Sequence, residues 1–423
     1  MTYLEALAFL DGLRRHGMRP GLERMQRLLE LSGHPERGLR FIHVAGTNGK
    51  GSTCAFLESV YRVSGRRTGL FTSPHLVSFR ERLQVGRECV SEADTARWIT
   101  RAAGLLEGWT EDEQPTFFEL VTWVALQWFR EQACDLVIWE TGLGGRLDAT
   151  NVVRPEAAVI TPIGWDHMEW LGHSLEAIAA EKAGILKPGV PAYTSTDDPA
   201  ALAVLRETAR AVGAPLEWVG AGHDEVARVR SWNLTLRGEH QRRNAALAVA
   251  TVRGLQDRWP VASEQVRVGI ESARWAGRFE VRQRGRQTWV IDGAHNRPAF
   301  GVLTEALREQ FGDRPYALIL GMLADKELAS AGPGLVAGAA RTVVVPVHSN
   351  RGCPPAELAA VLARHCPSAR VEVASGLREA TERMASEALV VVAGSLFLVG
   401  EVLEWMEGGS FSERALNDWG RTR

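Results

Sequence analysis

Short, wholly apolar runs recur along the chain, and each ends abruptly in glycine or in a polar side chain. Phe41–Ala45 stops at a glycine-rich turn, residues 136–139 stop at Glu140, and Ala157–Ile160 leads into residues 161–167. Runs this short and apolar on both faces predict strands buried inside a parallel sheet. Stretches of helical period lie between them, at 52–64, 116–132 and 173–187. Strands alternating with helices predict a doubly wound α/β fold, with ligands at the carboxyl ends of its strands. The second half restarts the same pattern. Residues 289–291 lead into Asp292-Gly293-Ala294-His295-Asn296 and a helix, and further strands are expected at 316–320, 342–345 and 389–392. The segment 271–277, after the helix at 241–254, divides the chain into expected domains of residues 1–273 and 274–423. No internal repeat is present, although 332–340 is rich in small residues.

At 423 residues the chain is too long for one core, so two domains agree with its size. Hydrophobic content of 45% and charged content of 24% are those of an ordinary globular protein. A net charge of −2 offers no footprint for nucleic acid or membrane. The five cysteines are scattered and never spaced CxxC, which argues against a disulfide framework or a zinc site. With no apolar leader at the N-terminus, the expected location is the cytoplasm.

Charge usage is more informative than charge balance. Of 49 Lys and Arg residues only Lys50, Lys182, Lys187 and Lys326 are lysines. Arginine cannot replace a compact ammonium or one that gives up its proton, so a lysine kept against this bias invites a chemical reason. Lys50 ends Gly46-Thr47-Asn48-Gly49-Lys50 and is followed by Gly51-Ser52-Thr53. Strand, glycine loop and helix are what a phosphate site needs. Backbone N–H groups wrap the anion, Lys50 bridges the outer phosphates, and the Ser52 or Thr53 hydroxyl reaches a metal. The usual pattern has glycine where Val44 stands and Ser or Thr directly after the lysine, where Gly51 stands.

Glu140 closes an apolar strand, the usual place for a carboxylate holding Mg²⁺ opposite a phosphate loop. His167 follows the next strand, so a parallel sheet brings both to one edge. Lys182 falls on the apolar stripe Leu175, Ile178, Ala179, Leu186 of the 173–187 helix. Burial lowers the pKa of an amine, and a neutral amine can take up CO₂ as a carbamate, turning a cation into an anion. Lys187, before Pro188-Gly189, reads as a structural, solvated cation at a helix end.

The segment His43–Thr53 resembles the phosphate loop of folylpolyglutamate synthases and dihydrofolate synthases, ATP-dependent amide ligases of the Mur ligase superfamily. Thr72-Ser73-Pro74-His75-Leu76, Phe117-Phe118-Glu119, the run from Glu140 through Gly144 to Asn151, Glu181-Lys182-Ala183-Gly184-Ile185, Gly277-Arg278-Phe279-Glu280 and Asp292–Asn296 match as well, in order along nearly the whole chain. Gly51 is what the folate branch carries. The resemblance implies an ATP-binding, P-loop-type first domain, a smaller Rossmann-like second domain, and a site in the cleft between them. It implies that ATP phosphorylates a carboxylate of dihydropteroate or of a reduced folate, and that the amine of L-glutamate then attacks the acyl phosphate.

Carried over position by position, Thr47 to Thr53 would hold ATP, and Ser52, Ser73, Glu140 and His167 would ligate Mg²⁺ at two sites. Lys182 would be the carbamylated lysine. Asn244, Arg278, Asp292 and His295 would reach the nucleotide or substrate. Thr116, Phe118, Asp148 and Ala149 would lie near the pterin, and Ser395 would hold the incoming amino acid. Lys50, Glu140, His167 and Lys182 carry the catalysis in this reading. A cell-wall Mur ligase would carry another domain ahead of the loop, and only 45 residues precede Gly46. A P-loop phosphotransferase would use Lys50 and Glu140 but leaves the His167–Lys182 pair and the second domain without a purpose. The expected state is a monomer, with neither nucleic acid nor membrane as partner.

Overall fold

A strand covered on both faces has no side chain to spare for water, and the central strands of this protein obey that rule. The computed structural model describes residues 1–408. Its first sheet contains β1 (Phe41–Ala45), β2 (Thr68–Phe71), β3 (Leu83–Val85), β4 (Glu88–Cys89), β5 (Leu136–Glu140), β6 (Ala157–Ile160), β7 (Ala192–Thr194) and β8 (Leu216–Trp218). Their order is β4-β3-β2-β5-β1-β6-β7-β8. From β2 to β8 neighbouring strands are parallel, and β3 and β4 add an antiparallel edge. Every residue of β1, β2, β5 and β6 is buried.

Alternate side chains of these strands serve two cores. Phe41, Phe71 and Trp139 face the helices Tyr3–Leu13, Glu23–Leu31 and Phe117–Glu131 on one side. Ile42, Val44, Leu70 and Ile138 face Lys50–Val63, Glu239–Gly254 and Ser263–Ser272 on the other. The register sets Glu140 beside Val44 and Ile160 beside Ala45. Three chain segments therefore leave the sheet at one level: the loop after β1, Glu140 with its following turn, and residues 161–167.

The second sheet contains β9 (Glu280–Arg284), β10 (Gln287–Ile291), β11 (Ala317–Leu320), β12 (Arg341–Val344), β13 (Val371–Val373) and β14 (Leu389–Ala393), in the order β13-β12-β11-β14-β10-β9. Only β9 is antiparallel to its neighbour. The carboxyl ends of β10, β11 and β14 lead into residues 292–296, residues 321–326 and Gly394-Ser395 respectively. Leu76, from the first half of the chain, is buried in the apolar core of this second sheet, which ties the two halves together. Among the described residues no helix is long and apolar enough to cross a membrane.

One expected helix is shorter than its pattern. The stretch read as 173–187 is helical only over Leu175–Ala183, capped by the Ser174 hydroxyl, which accepts from Ala177 N at 3.1 Å. The cause is contact rather than propensity. A Cβ on Gly184 would lie 2.4 Å from Cα of Arg146, so the glycine lets the turn after β5 press on the helix end. Asn151 fastens that contact, donating to the carbonyls of Arg146 (2.9 Å) and Gly184 (3.1 Å) while accepting from Lys187 Nζ (2.8 Å). Lys187 is thus structural as expected, but it is half-buried and bonded instead of solvated at a helix end. Asn151→Ala should lower unfolding stability by about 2–3 kcal/mol, since it removes three hydrogen bonds from a buried junction. Urea unfolding monitored by circular dichroism would measure it, and a change under about 0.5 kcal/mol would show that the junction holds without Asn151.

Candidate active site in the cleft

The loop after β1 turns into the helix Lys50–Val63 through Gly49, which has φ 89° and serves as its N-cap. Its shape is fixed from the neighbouring strand: Thr47 N donates to Pro162 O (3.1 Å), and the Thr47 hydroxyl bonds to Gly164 (3.1 Å). Lys50 Nζ is folded back over the loop, donating to the carbonyls of Gly46 (3.1 Å) and Thr47 (3.3 Å). Asn244 lies against Gly49, where a Cβ would meet its side-chain oxygen at 2.6 Å. Ser52 and Thr53 are fully buried, and neither hydroxyl oxygen has a hydrogen-bond partner. Buried hydroxyls left unpaired are costly, so both fit a site that receives a further ligand.

Glu140 and Lys182 sit beside this loop, each only 3% exposed. Glu140 Oε2 accepts from Ser73 N at 3.0 Å. Burial pushes its pKa up to about 7, against the pull of Lys50, the Ser73 N–H, Arg278 and Arg82. Lys182 Nζ donates to Gly46 O at 2.8 Å. Burial, reinforced by repulsion from Lys50, brings its pKa down to about 7 against Asp166 and Asp148. Its sequence neighbour Glu181 is bonded to Arg146 at 2.7 Å, and Asp166 is bonded elsewhere. Burial of Lys182 on the apolar face therefore holds, with a backbone carbonyl as its partner.

His167 stands at the cleft mouth as the N-cap of the short helix Met168–Leu171, in the left-handed region at φ 51°. Its ring keeps 39% of its side-chain surface. Desolvation lowers its pKa and keeps the imidazole neutral; Asp166 opposes the shift, and Lys326, Lys50 and Lys182 add to it. Asp166 beside it accepts from His167 N at 3.0 Å and crosses to the other half of the protein. It pairs with Lys326 at 2.8 Å and faces His295 at 3.9 Å. Burial alone would raise the Asp166 pKa, but His295, His167 and Lys326 hold it well below the usual carboxylate range.

The other second-half residues reach the same cleft. Asp292 accepts from Phe279 N (2.7 Å) and Ala294 N (2.8 Å), and Arg278 acts on both Asp292 and Glu140. His295 Nδ1 bonds to Gly293 O at 2.8 Å, and Asn296 reaches Asn48 of the loop at 3.4 Å. Ser395 is buried as the N-cap of Leu396–Glu407, accepting from Phe397 N at 3.1 Å. Gly394 N donates to Ala294 O at 2.7 Å, which places Ser395 next to the turn at residues 292–296.

At the turn after β5 lies a cavity of about 190 Å³ whose lining includes Thr116, Phe118, Asp148 and Ala149, the four residues expected around a substrate ring. Thr116 caps the helix Phe117–Glu131 in a capping box with Glu119. Phe118 packs where a Cβ on Gly142 would be, 2.6 Å from its Cζ, so the glycine turn after Glu140 admits the ring. Asp148 accepts from Leu143 N (2.8 Å) and Thr150 N (3.0 Å), and burial raises its pKa. Residues 17–21, Arg82 and Trp170 complete the wall. Sequence reasoning misses all of these, because the N-terminal loop has no periodic or glycine-motif signal. Lys326 is visible in the sequence only as a rare lysine in the loop beyond β11, whereas Glu140 ends its own strand.

Among the described residues no three His, Cys, Asp or Glu side chains converge as a metal cage. One carboxylate, one imidazole and unpaired hydroxyls are instead the partial shell that Mg²⁺ shares with phosphate oxygens. An orphaned pair of hydroxyls beside a carboxylate driven towards protonation fits a divalent cation.

Residues 44–252 match the Mur ligase middle domain, and residues 277–396 match the Mur ligase glutamate ligase domain. The dihydrofolate synthase/folylpolyglutamate synthase of Bacillus subtilis is 38% identical over 347 residues, 77% of this chain and 80% of that protein. Escherichia coli FolC in complex with DHPP and ADP superposes with a TM-score of 0.85 at 30% identity, covering 96% of this chain and 98% of that one. The bifunctional folylpolyglutamate synthase/dihydrofolate synthase of Yersinia pestis, complexed with AMPPNP and a Mn ion, has a TM-score of 0.82 at 30% identity over 96% and 98% of the two chains.

The Asp166–Lys326 pair can be tested through its pH dependence. Asp166→Asn should cost about 3 kcal/mol at pH 7, the scale for breaking a largely buried ion pair. Because the folded pKa is depressed, Asp166 contributes fully above its unfolded value near 4 and progressively less as pH falls below it. Thermal unfolding should therefore separate the two proteins at pH 7, and the gap should narrow below about pH 4. A gap that stays constant with pH would assign the loss to packing.

Proposed function

Because the chain belongs to the folylpolyglutamate synthase/dihydrofolate synthase family of Mur ligases, we propose that its cleft joins L-glutamate to a pteroate or folate carboxylate at the expense of ATP. The protein is an ATP-dependent amide-bond ligase. The observation that carries this reading is the adjacency of two sites at one sheet edge. A phosphate loop with unpaired buried hydroxyls follows β1, and the turn after the adjacent strand β5 lines a cavity of about 190 Å³.

The chemistry demands that two anions, the γ-phosphate of ATP and the acceptor carboxylate, meet without repelling. Lys50 swings from the loop carbonyls to the outer phosphates, while the backbone N–H groups at the start of Lys50–Val63 hold the inner ones. Ser52, Ser73, Glu140 and His167 would hold Mg²⁺, which neutralises phosphate charge when bound. The carboxylate oxygen attacks the γ-phosphorus, ADP leaves, and an acyl phosphate forms. The neutral amine of glutamate attacks its carbonyl carbon, phosphate departs, and the amine proton passes to solvent or to a nearby base. Asp292, Arg278, His295 and Asn244 close on the nucleotide and substrate, and Ser395 is the residue we assign to the incoming amino acid. Thr116, Phe118, Asp148 and Ala149 hold the pterin. Closure of the two halves keeps water from the acyl phosphate.

Lys182 enters this scheme as a carbamate. Its neutral nitrogen attacks CO₂, a proton is lost, and the side chain becomes an anion beside the metal-binding groups. The support is its burial and its pKa near 7, which leave much of the amine unprotonated at neutral pH.

Sustained ADP release over many turnovers should require acceptor, glutamate and ATP together. Dihydropteroate and tetrahydrofolate, assayed separately, should each support it, giving dihydrofolate and an extended folate on chromatography. Sustained ADP release without glutamate, beyond one equivalent per enzyme, would point to a phosphotransferase, and failure with dihydropteroate alone would restrict the enzyme to chain extension. Lys182→Ala should lose activity by at least about a hundredfold and recover part of it on addition of acetate or formate. Mass spectrometry or ¹³C NMR showing no CO₂ adduct on Lys182 in ¹³C-bicarbonate with Mg²⁺ would end the carbamate assignment.

A further inference from the structure

Gly51 breaks the usual phosphate-loop pattern, and the structure supplies a cause from outside the loop. A Cβ on Gly51 would stand 2.7 Å from Nε1 of Trp275 and 3.1 Å from its Cε2. Trp275 lies in the connection between the helix Ser263–Ser272 and β9, where the chain passes from the first sheet to the second. Its ring is half-buried against the first sheet's core. The guanidinium of Arg87 covers it, 5.4 Å from a ring centroid, and donates to Arg274 O at 3.1 Å. The connection is thus clamped from two sides at one residue.

The clamp matters because of the residues immediately beyond Trp275. Gly277, at φ 66°, turns the chain against Val399 of the second half. Arg278, three residues past the tryptophan, carries its charge to Glu140 and Asp292. A shift of the connection along its axis would move Arg278 away from both carboxylates. We infer that Trp275 is a positioning residue, seated in the socket left by Gly51, which sets the connecting segment in register with the phosphate loop and delivers Arg278 to the site. Glycine at 51 is then required by the indole and not by the phosphates. The inference rests on the proposed nucleotide loop.

The test is a kinetic cycle on the full-length enzyme with ATP varied, checked by melting temperature. Trp275→Ala should lower kcat/KM for ATP about tenfold or more, and Trp275→Phe should recover most of that loss. Combining Trp275→Ala with Arg278→Ala should be no slower than Arg278→Ala alone. Gly51→Ser should be severely impaired in the native background, yet cost almost nothing further in the Trp275→Ala background. If the alanine variant does not fold, Gly51→Ser should still be milder with Trp275→Phe than with the native indole. Native kinetics for Trp275→Ala, or a Gly51→Ser penalty equal in both backgrounds, would overturn the inference. Lys50→Ala, assayed alongside, keeps the two readings apart: its inactivity upholds the nucleotide loop whatever Trp275 does, and native activity would overturn both.

Discussion

Desolvation at the carboxyl edge of the first sheet governs the chemistry of everything placed there. Glu140 and Lys182 carry opposite charges, yet burial drives both towards neutrality, to about 7 in each case. They do not neutralise one another: Glu140 takes the Ser73 N–H, and Lys182 takes the Gly46 carbonyl. A carboxylate in this condition gains from any cation brought to it. A reluctant ammonium gains from any reaction that removes its proton. Each group is thus held in a form that an arriving cation, or the loss of a proton, would stabilise, and arginine, which keeps its proton, could not reproduce the second.

The same edge shows why some of the fold was legible in the sequence. β1, β5 and β6 are buried on both faces and announce themselves as apolar runs. β9, Glu280-Val281-Arg282-Gln283-Arg284, is a half-exposed edge strand, and β3, β4 and β8 are three residues or shorter. Such strands are defined by their partners and leave little local pattern. The loop residues were legible because their chemistry is local. Lys50, Ser52 and Thr53 sit within four positions, and Glu140 ends its own strand. Asp166 and Lys326 are 160 residues apart, and nothing near either predicts the other. Trp275 left one trace, the missing hydroxyl at Gly51, which cannot be read without knowing what packs above it.

The contacts between the halves divide into two kinds. Leu76 in the second sheet's core and the turn at Gly277 are apolar, and they set which faces meet. Asp166 with Lys326, and Asn48 with Asn296, are polar and lie at the cleft itself. Asp166 also holds the backbone of His167, so the carboxylate that pairs with Lys326 of the second half also fixes the turn that carries this imidazole.

The scarcity of lysine has a consequence beyond catalysis. None of the four lysines is exposed: Lys182 is buried, and Lys50, Lys187 and Lys326 are half-covered. Every fully exposed cationic side chain on this protein other than histidine is an arginine. Acylating reagents, aldehyde supports and amine-directed cross-linkers therefore meet no fully exposed lysine, only the partly covered amines of Lys50, Lys187 and Lys326 and the terminal amino group. Three of the four lysine amines line the cleft. On most proteins such labelling maps the exterior; here two of its three half-covered targets, Lys50 and Lys326, stand at contacts of the cleft, and Lys187 serves as the internal reference.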